Sequence, residues 1–594
     1  MTQDNPGRDD GTSRAAIDGR VAFATAAFLL GAGVFVLLDR IGAPERLVAV
    51  LGPALAAAGL ATIGFMLRSM RISSFHAAGR ATPSAYAGLA MAALGAGLAA
   101  PFAPPLPAGA SFQSLLIGFG LGLLLAGAAT GPLLRKAGAF SIADLIVTRF
   151  PSLTLRVGMT LTMGALGLCL GLAGLSMAQG ALAQTTSLGP QACAILAAGV
   201  VALIVVPGGM AGLVWAATGA AGLLVAGLAA PLVLMIASGA AIPVPPPLPG
   251  GGAAFEQALA RMSEWRGPAS APEGADGLMI AAMALGLAAL GPLLAPLMTT
   301  PRQGEARRGG LLGLGWFALL ALMALVAAAA SALALQSGVA GLRPADLPAF
   351  LLEASGRGLV TICGAHPATI ARAQEVCAAL PGFPGVLRGA DIRATSEYLV
   401  LGLSQLGGFG AAFSGLAMAG RMSIALALSA AGFLAMATAL GDDAFYRAHK
   451  AYTLKSRRLA VTRLLLLCAI AGSAMMLAQE AQDPRRLIVI ALGLSAVTVT
   501  PLLLLTLWPR AEGQDGAIAL IAGLAIAEGI ILLPGQPPTT EVLAIAAVTG
   551  FACALAAGFG ASFLHPADNA SHGAAFVHGL LHGQGDVLRP DKQA

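Results

Sequence analysis

The run "LIGFGLGLLLAGAAT", residues 116–130, carries no charge and no alternation of apolar with polar residues. A transmembrane barrel is built from strands of about ten residues whose faces alternate, so this run reads as helix. About 20 apolar residues carry a helix across ~30 Å of hydrocarbon. Segments of that kind recur near 21–38, 47–67, 83–103, 112–134, 157–184, 190–206, 211–236, 277–300, 309–336, 411–440, 457–478, 486–507, 515–534 and 541–563. The expectation is therefore an all-α polytopic membrane protein with about fourteen transmembrane helices. Composition agrees: 57% of the 594 residues are hydrophobic, 10% are charged and the mean hydropathy is +0.82, which excludes an ordinary soluble chain.

Lys and Arg in short loops are retained on the cytoplasmic side. Arg68, Arg71 and Arg80 form one basic loop, Arg135, Lys136, Arg149 and Arg156 a second, Arg302, Arg307 and Arg308 a third, and Arg447, Lys450, Lys455, Arg457 and Arg458 a fourth. With the helices above, all four fall on one side and both termini are expected in the cytoplasm, as in a multi-pass protein of a bacterial-type inner membrane. The net charge of +6 is then mostly topology, and no nucleic-acid partner is expected. The first twenty residues are polar and include acidic side chains, unlike a signal peptide.

Two polar insertions, 240–275 and 337–407, interrupt the helices and read as outer loops rather than domains. Cys363 and Cys377 share the second. A bridge between them would suit an oxidising compartment, and two free thiols are the alternative, because spacing alone does not establish a disulfide. His366, His565, His572 and His578 read as solvated surface. No metal-ligand cluster, phosphate loop or nucleophile elbow is present in the sequence, so no enzyme, metal or cofactor is expected.

Three stretches resemble the sodium:solute symporter family, and more closely its acetate (monocarboxylate) permease branch. These are "SSFHAAGRATPSAYAGLAMA" (73–92), "GPLLRKAGAFSIADLIVTRFPSLTLRVG" (131–158) and "PGGMAGLVWAATGAAGLLVAG" (207–227). The second is the most specific, with Arg135, Gly138, Asp144, Arg149 and Arg156 at the positions of the family's cytoplasmic loop. Weaker similarity runs through 299–308, 437–446 and 567–576. The resemblance implies an inverted five-helix repeat transporter fold (LeuT-like), with substrate and ion held near the midplane at broken helices. It implies a symporter-like domain over 47–580, with a first repeat at 83–236, a second at 277–507 and extra helices over 515–563. Residues 1–46 would add a cytoplasmic N-terminus and one further helix, and 581–594 a cytoplasmic tail. Gly88, Gly95 and Gly97, and Gly286, Gly291, Pro292 and Pro296, are candidate breaks in the two corresponding helices, although Gly is common in packed membrane helices anyway.

The resemblance also implies a sodium site at the backbone of Ala93 and Ala96 and the side chains of Ile424, Ala427 and Leu428. Sodium needs several oxygen ligands to replace its water, and none of these side chains carries one. Ser429 is the nearest hydroxyl. On the same expected helix, Arg421 lies ten residues from the outer end, about 15 Å at 1.5 Å per residue, near the bilayer centre. A charge there is costly and by default functional. Arg421 and Leu428 share a face of the helix, so the arginine sits above the vacated ion position and, with Ser429, is a candidate for binding a substrate carboxylate. The alternative is that "AGRMS" (419–423) is a turn and Arg421 snorkels to an interface. Asp144 and Arg149 read as a local charge pair, and Glu528 as a carboxylate outside the core.

Two functions follow. One is a secondary active transporter of a small organic solute, a monocarboxylate such as acetate, coupled to sodium or protons. The other is a transport-deficient homologue serving as a membrane sensor or scaffold. The lipid bilayer and a small-molecule solute are the implied partners, and the sequence leaves the oligomeric state open.

Overall fold

The computed structural model describes residues 33–103, 112–186, 188–239, 243–245, 252–264, 275–441, 455–532, 539–564 and 570–582, with isolated positions between 19 and 31. Among these residues 11 helices are long and apolar enough to cross a membrane, or 12 if a bent pair counts as one span. They include α1 (Glu45–Met66), α2 (Ser84–Ala99), α3 (Phe112–Leu125), which runs through a π-helical turn at Ala126–Thr130 into α4 (Gly131–Ala137), and α6 (Leu153–Thr185). The basic loop that follows α4 holds α5 (Ile142–Arg149). The expected helix at 21–38 lies largely outside the described residues.

The longest helix, α7 (Pro190–Ala237), doubles back. Gly209 adopts φ 55° and ψ −135°, a conformation open to glycine and strained for any other residue. A Cβ on Gly212 would fall 2.3 Å from the Ile204 carbonyl oxygen, whereas residues eight apart in a straight helix are separated by about 12 Å. The two limbs therefore cross separately, as 190–206 and 211–236 predict, which adds one crossing to the helix count.

The two helices expected to break behave differently. α2 is continuous from Ser84 to Ala99, contrary to the interruption anticipated at Gly88, Gly95 and Gly97. Its glycines serve close packing instead: a Cβ on Gly88 would meet the Gly309 carbonyl oxygen at 2.5 Å, and one on Gly97 the Ile424 oxygen at 3.1 Å. In the second half, α9 (Ala275–Ala288) and α10 (Gly291–Met298) meet at a bend of 43°. The break leaves carbonyls of the last turn of α9 without helical donors. Two threonines supply them: Thr130 donates to the Ala288 oxygen at 2.6 Å and Thr500 to the Leu285 oxygen at 2.8 Å. Both flank π-helical turns, Ala126–Thr130 and Ser495–Val499.

The core is made by α15 (Ala411–Thr438), most of whose residues are buried. It is joined to α6 along a seam without side chains. A Cβ on Gly171 would lie 2.6 Å from the Phe433 ring, one on Gly174 2.4 Å from the Ser429 nitrogen, and one on Gly432 2.4 Å from the Gly171 nitrogen.

The two polar insertions are not loops, as expected, but one packed cap. Residues Val360–Ile362 (β1) and Ile392–Ala394 (β2) pair antiparallel, Val360 opposite Ala394, the one departure from an all-α chain among the described residues. Phe255, Ala258 and Met262 of α8 (Ala253–Glu264) share an apolar cluster with Leu351, Ile362, Cys363, Cys377 and Leu399 from the second insertion. Cys363 and Cys377 are joined by a disulfide with Cα atoms 5.2 Å apart. His366 is exposed, as expected, with Nδ1 in a hydrogen bond with the Val360 oxygen at 3.0 Å.

Candidate functional site

Arg421 lies within α15, which runs uninterrupted through residues 419–423, so no turn forms there. Its exposure is 8%. One guanidinium nitrogen, Nη2, forms an ion pair with Glu397. The other, Nη1, is buried with no hydrogen-bond partner among the described residues. Glu397 belongs to α14 (Ser396–Leu401), a short helix of the cap started by Thr395, whose side chain accepts from the Tyr398 amide. A carboxylate in the first turn of a helix is also favoured by the helix dipole.

Glu397 has two further neighbours. Gln184, near the outer end of α6, donates its side-chain amide to the Glu397 carboxylate at 2.9 Å. Arg485, at the start of α17 (Pro484–Leu494), is held over the Pro101 carbonyl oxygen at 2.7 and 3.0 Å and adds a second positive charge nearby. Burial pushes the Glu397 carboxyl up. Arg421, Gln184 and Arg485 together outweigh that and hold it below the ordinary carboxylate range.

The pair lines a cavity of about 140 Å³ whose other walls include Ala96, Phe102, Phe119, Leu224, Phe317 and Ile424. Arg421 and Glu397 are the only charged side chains in that lining. The floor is the contact of Gly97 with Ile424 and Leu428, 3.1 and 3.2 Å from a Cβ built on Gly97. A smaller void of about 30 Å³ lies beyond it, between Ile142, Gly291 and Leu434.

The residues placed at the cation position do meet between α2 and α15, but they do not suit a hard cation. Ile424, Ala427 and Leu428 are buried and bring no side-chain oxygen. α2 is wound through Ala93 and Ala96, and the Ala96 carbonyl accepts from the Ala100 amide. Ser429, expected to reach substrate, does not line the cavity; its hydroxyl donates to the Gly171 carbonyl at 2.9 Å. No further step is therefore routed through sodium at this position.

No family model matches the sequence. An uncharacterized symporter of Cupriavidus necator is 24% identical over 262 residues, a stretch that makes up 43% of this chain and 36% of that relative. Among solved structures, a Na⁺-coupled sialic acid symporter in a substrate-bound, outward-open state aligns over 88% of this chain and 98% of its own, at 14% identity and a TM-score of 0.60. The two share a fold. The chain is thus a multi-pass membrane protein with the fold of a symporter.

Within that fold the basic residues of the loop between α4 and α6 act as ties. Arg135, 8% exposed, donates to the carbonyls of Thr300 and Pro301 just past α10. Gly138 ends α4 at φ 74° and its carbonyl accepts from Arg80 at 2.6 Å. Asp144 accepts from the Phe140 amide at 3.0 Å, while the Ser141 hydroxyl accepts from the Asp144 amide at 3.0 Å. Arg149, expected to pair with Asp144, reaches instead to the Ala511 carbonyl at 3.0 Å and stacks on Phe150 and Phe576. Arg156 keeps a buried Nε without a hydrogen-bond partner. Glu528 is exposed, four residues before the end of α19 (Gly513–Leu532).

Glu397 was not among the sequence candidates. The signal for it was indirect: a buried arginine requires a counter-charge.

Proposed function

We propose that the chain is a secondary active transporter of a small monocarboxylate such as acetate, with Arg421 as the group that holds the carboxylate. The observation that carries this reading is a single guanidinium, paired through one nitrogen with Glu397 and with the other unpartnered among the described residues, in a cavity whose remaining lining is apolar. An arginine fork matches a carboxylate, and the walls suit a hydrocarbon tail rather than a hydroxylated sugar acid. An apolar cavity of about 150 Å³ accommodates benzene, so the volume here fits an acid of a few carbons.

The symporter relatives support cation-coupled transport, and the two-repeat mapping over 83–236 and 277–507 belongs to the same reading. So do an inner-membrane location and cytoplasmic termini. The test is uptake of labelled acetate into proteoliposomes, with sodium and proton gradients imposed separately, beside binding of acetate and propionate to the purified protein. Uptake and binding should both be lost in Arg421→Ala. Binding without uptake under any gradient would assign the chain to sensing the solute. Failure of the wild type to bind any monocarboxylate would overturn the reading.

A further inference from the structure

We propose that Glu397 is the proton-binding group of this transporter: the incoming carboxylate takes its place on Arg421, and the displaced Glu397 side chain picks up a proton. This rests on the monocarboxylate reading above and names its coupling ion. The step balances, since the substrate anion and one proton enter, the Arg421–Glu397 ion pair opens, an Arg421–substrate ion pair forms, and Glu397 becomes a neutral acid.

The charges in the cavity carry the inference. Arg421 and Glu397 cancel one another in the cavity lining, as Arg485 and Asp483 do beside it. An added anion would leave one uncompensated negative charge there, which burial strongly disfavours. Protonation of Glu397 restores neutrality. It is also the group whose surroundings change most, because Arg421, the foremost of the groups that together offset its burial, would be turned to the substrate.

Geometry places Glu397 for this role. It stands on the cap rather than on the membrane core, and its side chain is 38% exposed against 9% for Arg421, so it faces the route by which a proton arrives. The groups around it are few. From α15 comes Arg421, from α6 the uncharged Gln184, and from α17 Arg485 with Asp483 beside it. On its own helix, burial pushes the Tyr398 phenol well up, so that it stays protonated. The outer half of α11 (Gln303–Val339), which packs on α14, carries no titratable side chain from Leu314 to Val339. No second carboxylate on those elements is in direct contact with Arg421.

The sign of the pH dependence follows. In the free protein Glu397 is ionised because Arg421 holds its pKa low; in the complex its pKa rises. Between the two values, anion binding takes up a proton, so affinity falls as pH rises, by about tenfold per pH unit for one coupled proton. Above the higher value the dependence disappears.

The experiment measures binding of propionate and of propanesulfonate, whose anion does not titrate in the range used, from about pH 4 to pH 8, a range that brackets the ordinary values of Glu and His. Proton uptake is followed in weakly buffered solution. The wild type should take up close to one proton per anion bound. Glu397→Gln, which keeps the size and the hydrogen-bonding edge, should bind with affinity independent of pH and take up none. In proteoliposomes it should still exchange propionate down its gradient but no longer accumulate it under a proton gradient. Glu397→Asp should retain proton uptake, which separates loss of titration from loss of folding. Proton uptake that survives in Glu397→Gln, binding of either anion by the wild type without proton uptake, or accumulation driven by sodium alone would overturn the inference while leaving Arg421 as the anion site. Absence of any anion binding would remove both.

Discussion

Thr130 and Thr500, from opposite halves of the chain, donate their hydroxyls to the same helix turn, at the oxygens of Ala288 and Leu285. Each threonine stands at a π-helical turn, where the widened backbone offsets the register of the helix that follows. The bend between α9 and α10 is therefore held from two sides by side chains. Thr130→Val or Thr500→Val keeps the shape and removes the donor, leaving a carbonyl unsatisfied. Each should cost about 1–3 kcal/mol, read as a lower thermal midpoint of the detergent-solubilised protein, and the double variant should lose more than either.

Arg135 ties the first-half cytoplasmic loop to the carbonyls that follow α10. Hydrogen bonds from a charged donor contribute about 1.5–3 kcal/mol each. Arg135→Ala should destabilise by roughly 3 kcal/mol or more, and Arg135→Lys should recover only part of this because an ammonium cannot span both oxygens. Urea or thermal unfolding monitored by tryptophan fluorescence distinguishes the three proteins.

The Cys363–Cys377 bridge closes a sequence separation of 14 within the cap. Closing a loop of about 15 residues restricts the unfolded chain by roughly 3 kcal/mol. Cys363→Ser should make the segment from Leu347 to Ala394 more sensitive to protease while the membrane helices stay intact. Alkylation with and without reductant, followed by mass measurement, should show two extra reactive thiols only after reduction.

Restoring hydroxyls at the vacated cation position should not restore sodium dependence. Ala427→Ser with Leu428→Ser supplies oxygen on α15, but α2 remains wound through Ala93 and Ala96 and its carbonyls stay in helical bonds. Uptake by the double variant is expected to be indifferent to sodium; a sodium-stimulated rate would show that side-chain oxygens alone were missing.

Lowering the pH should loosen the cap. The carboxyl of Glu397 is held below its unfolded value, so the stability it contributes is present above the unfolded pKa and is lost as pH falls through the folded one. Hydrogen exchange of the α14 amides should accelerate on acidification in the wild type and be fast and independent of pH in Glu397→Gln.

The membrane helices were legible because length and apolarity alone specify them, as in 411–440 against the observed Ala411–Thr438. The fold-back at Gly209 was legible from "PGGM". What escaped was decided by tertiary contact. The glycines of α2 look like break points in sequence, but they are helical because Gly309 and Ile424 approach them closely. The cap escaped because its apolar residues are dispersed over two insertions and meet only when the chain is folded. At the site, Arg421 was visible as an anomalous charge, whereas Glu397 is a lone carboxylate in a polar stretch, with no spacing to mark it. The reach of Ser429 to Gly171 rather than to the cavity depends on which face α6 covers, and sequence periodicity does not say that.

The glycine seam between α6 and α15 limits how this molecule can move. Along much of it backbone lies directly on backbone, with the Phe433 ring seated on Gly171, so sliding by even part of a turn would drive Gly171 into Phe433 and Gly174 into Ser429. The helix bearing Arg421 is therefore clamped to α6. Any relative movement has to be taken up at its other contacts, such as that with α2, so Arg421 stays still while the walls around it change places.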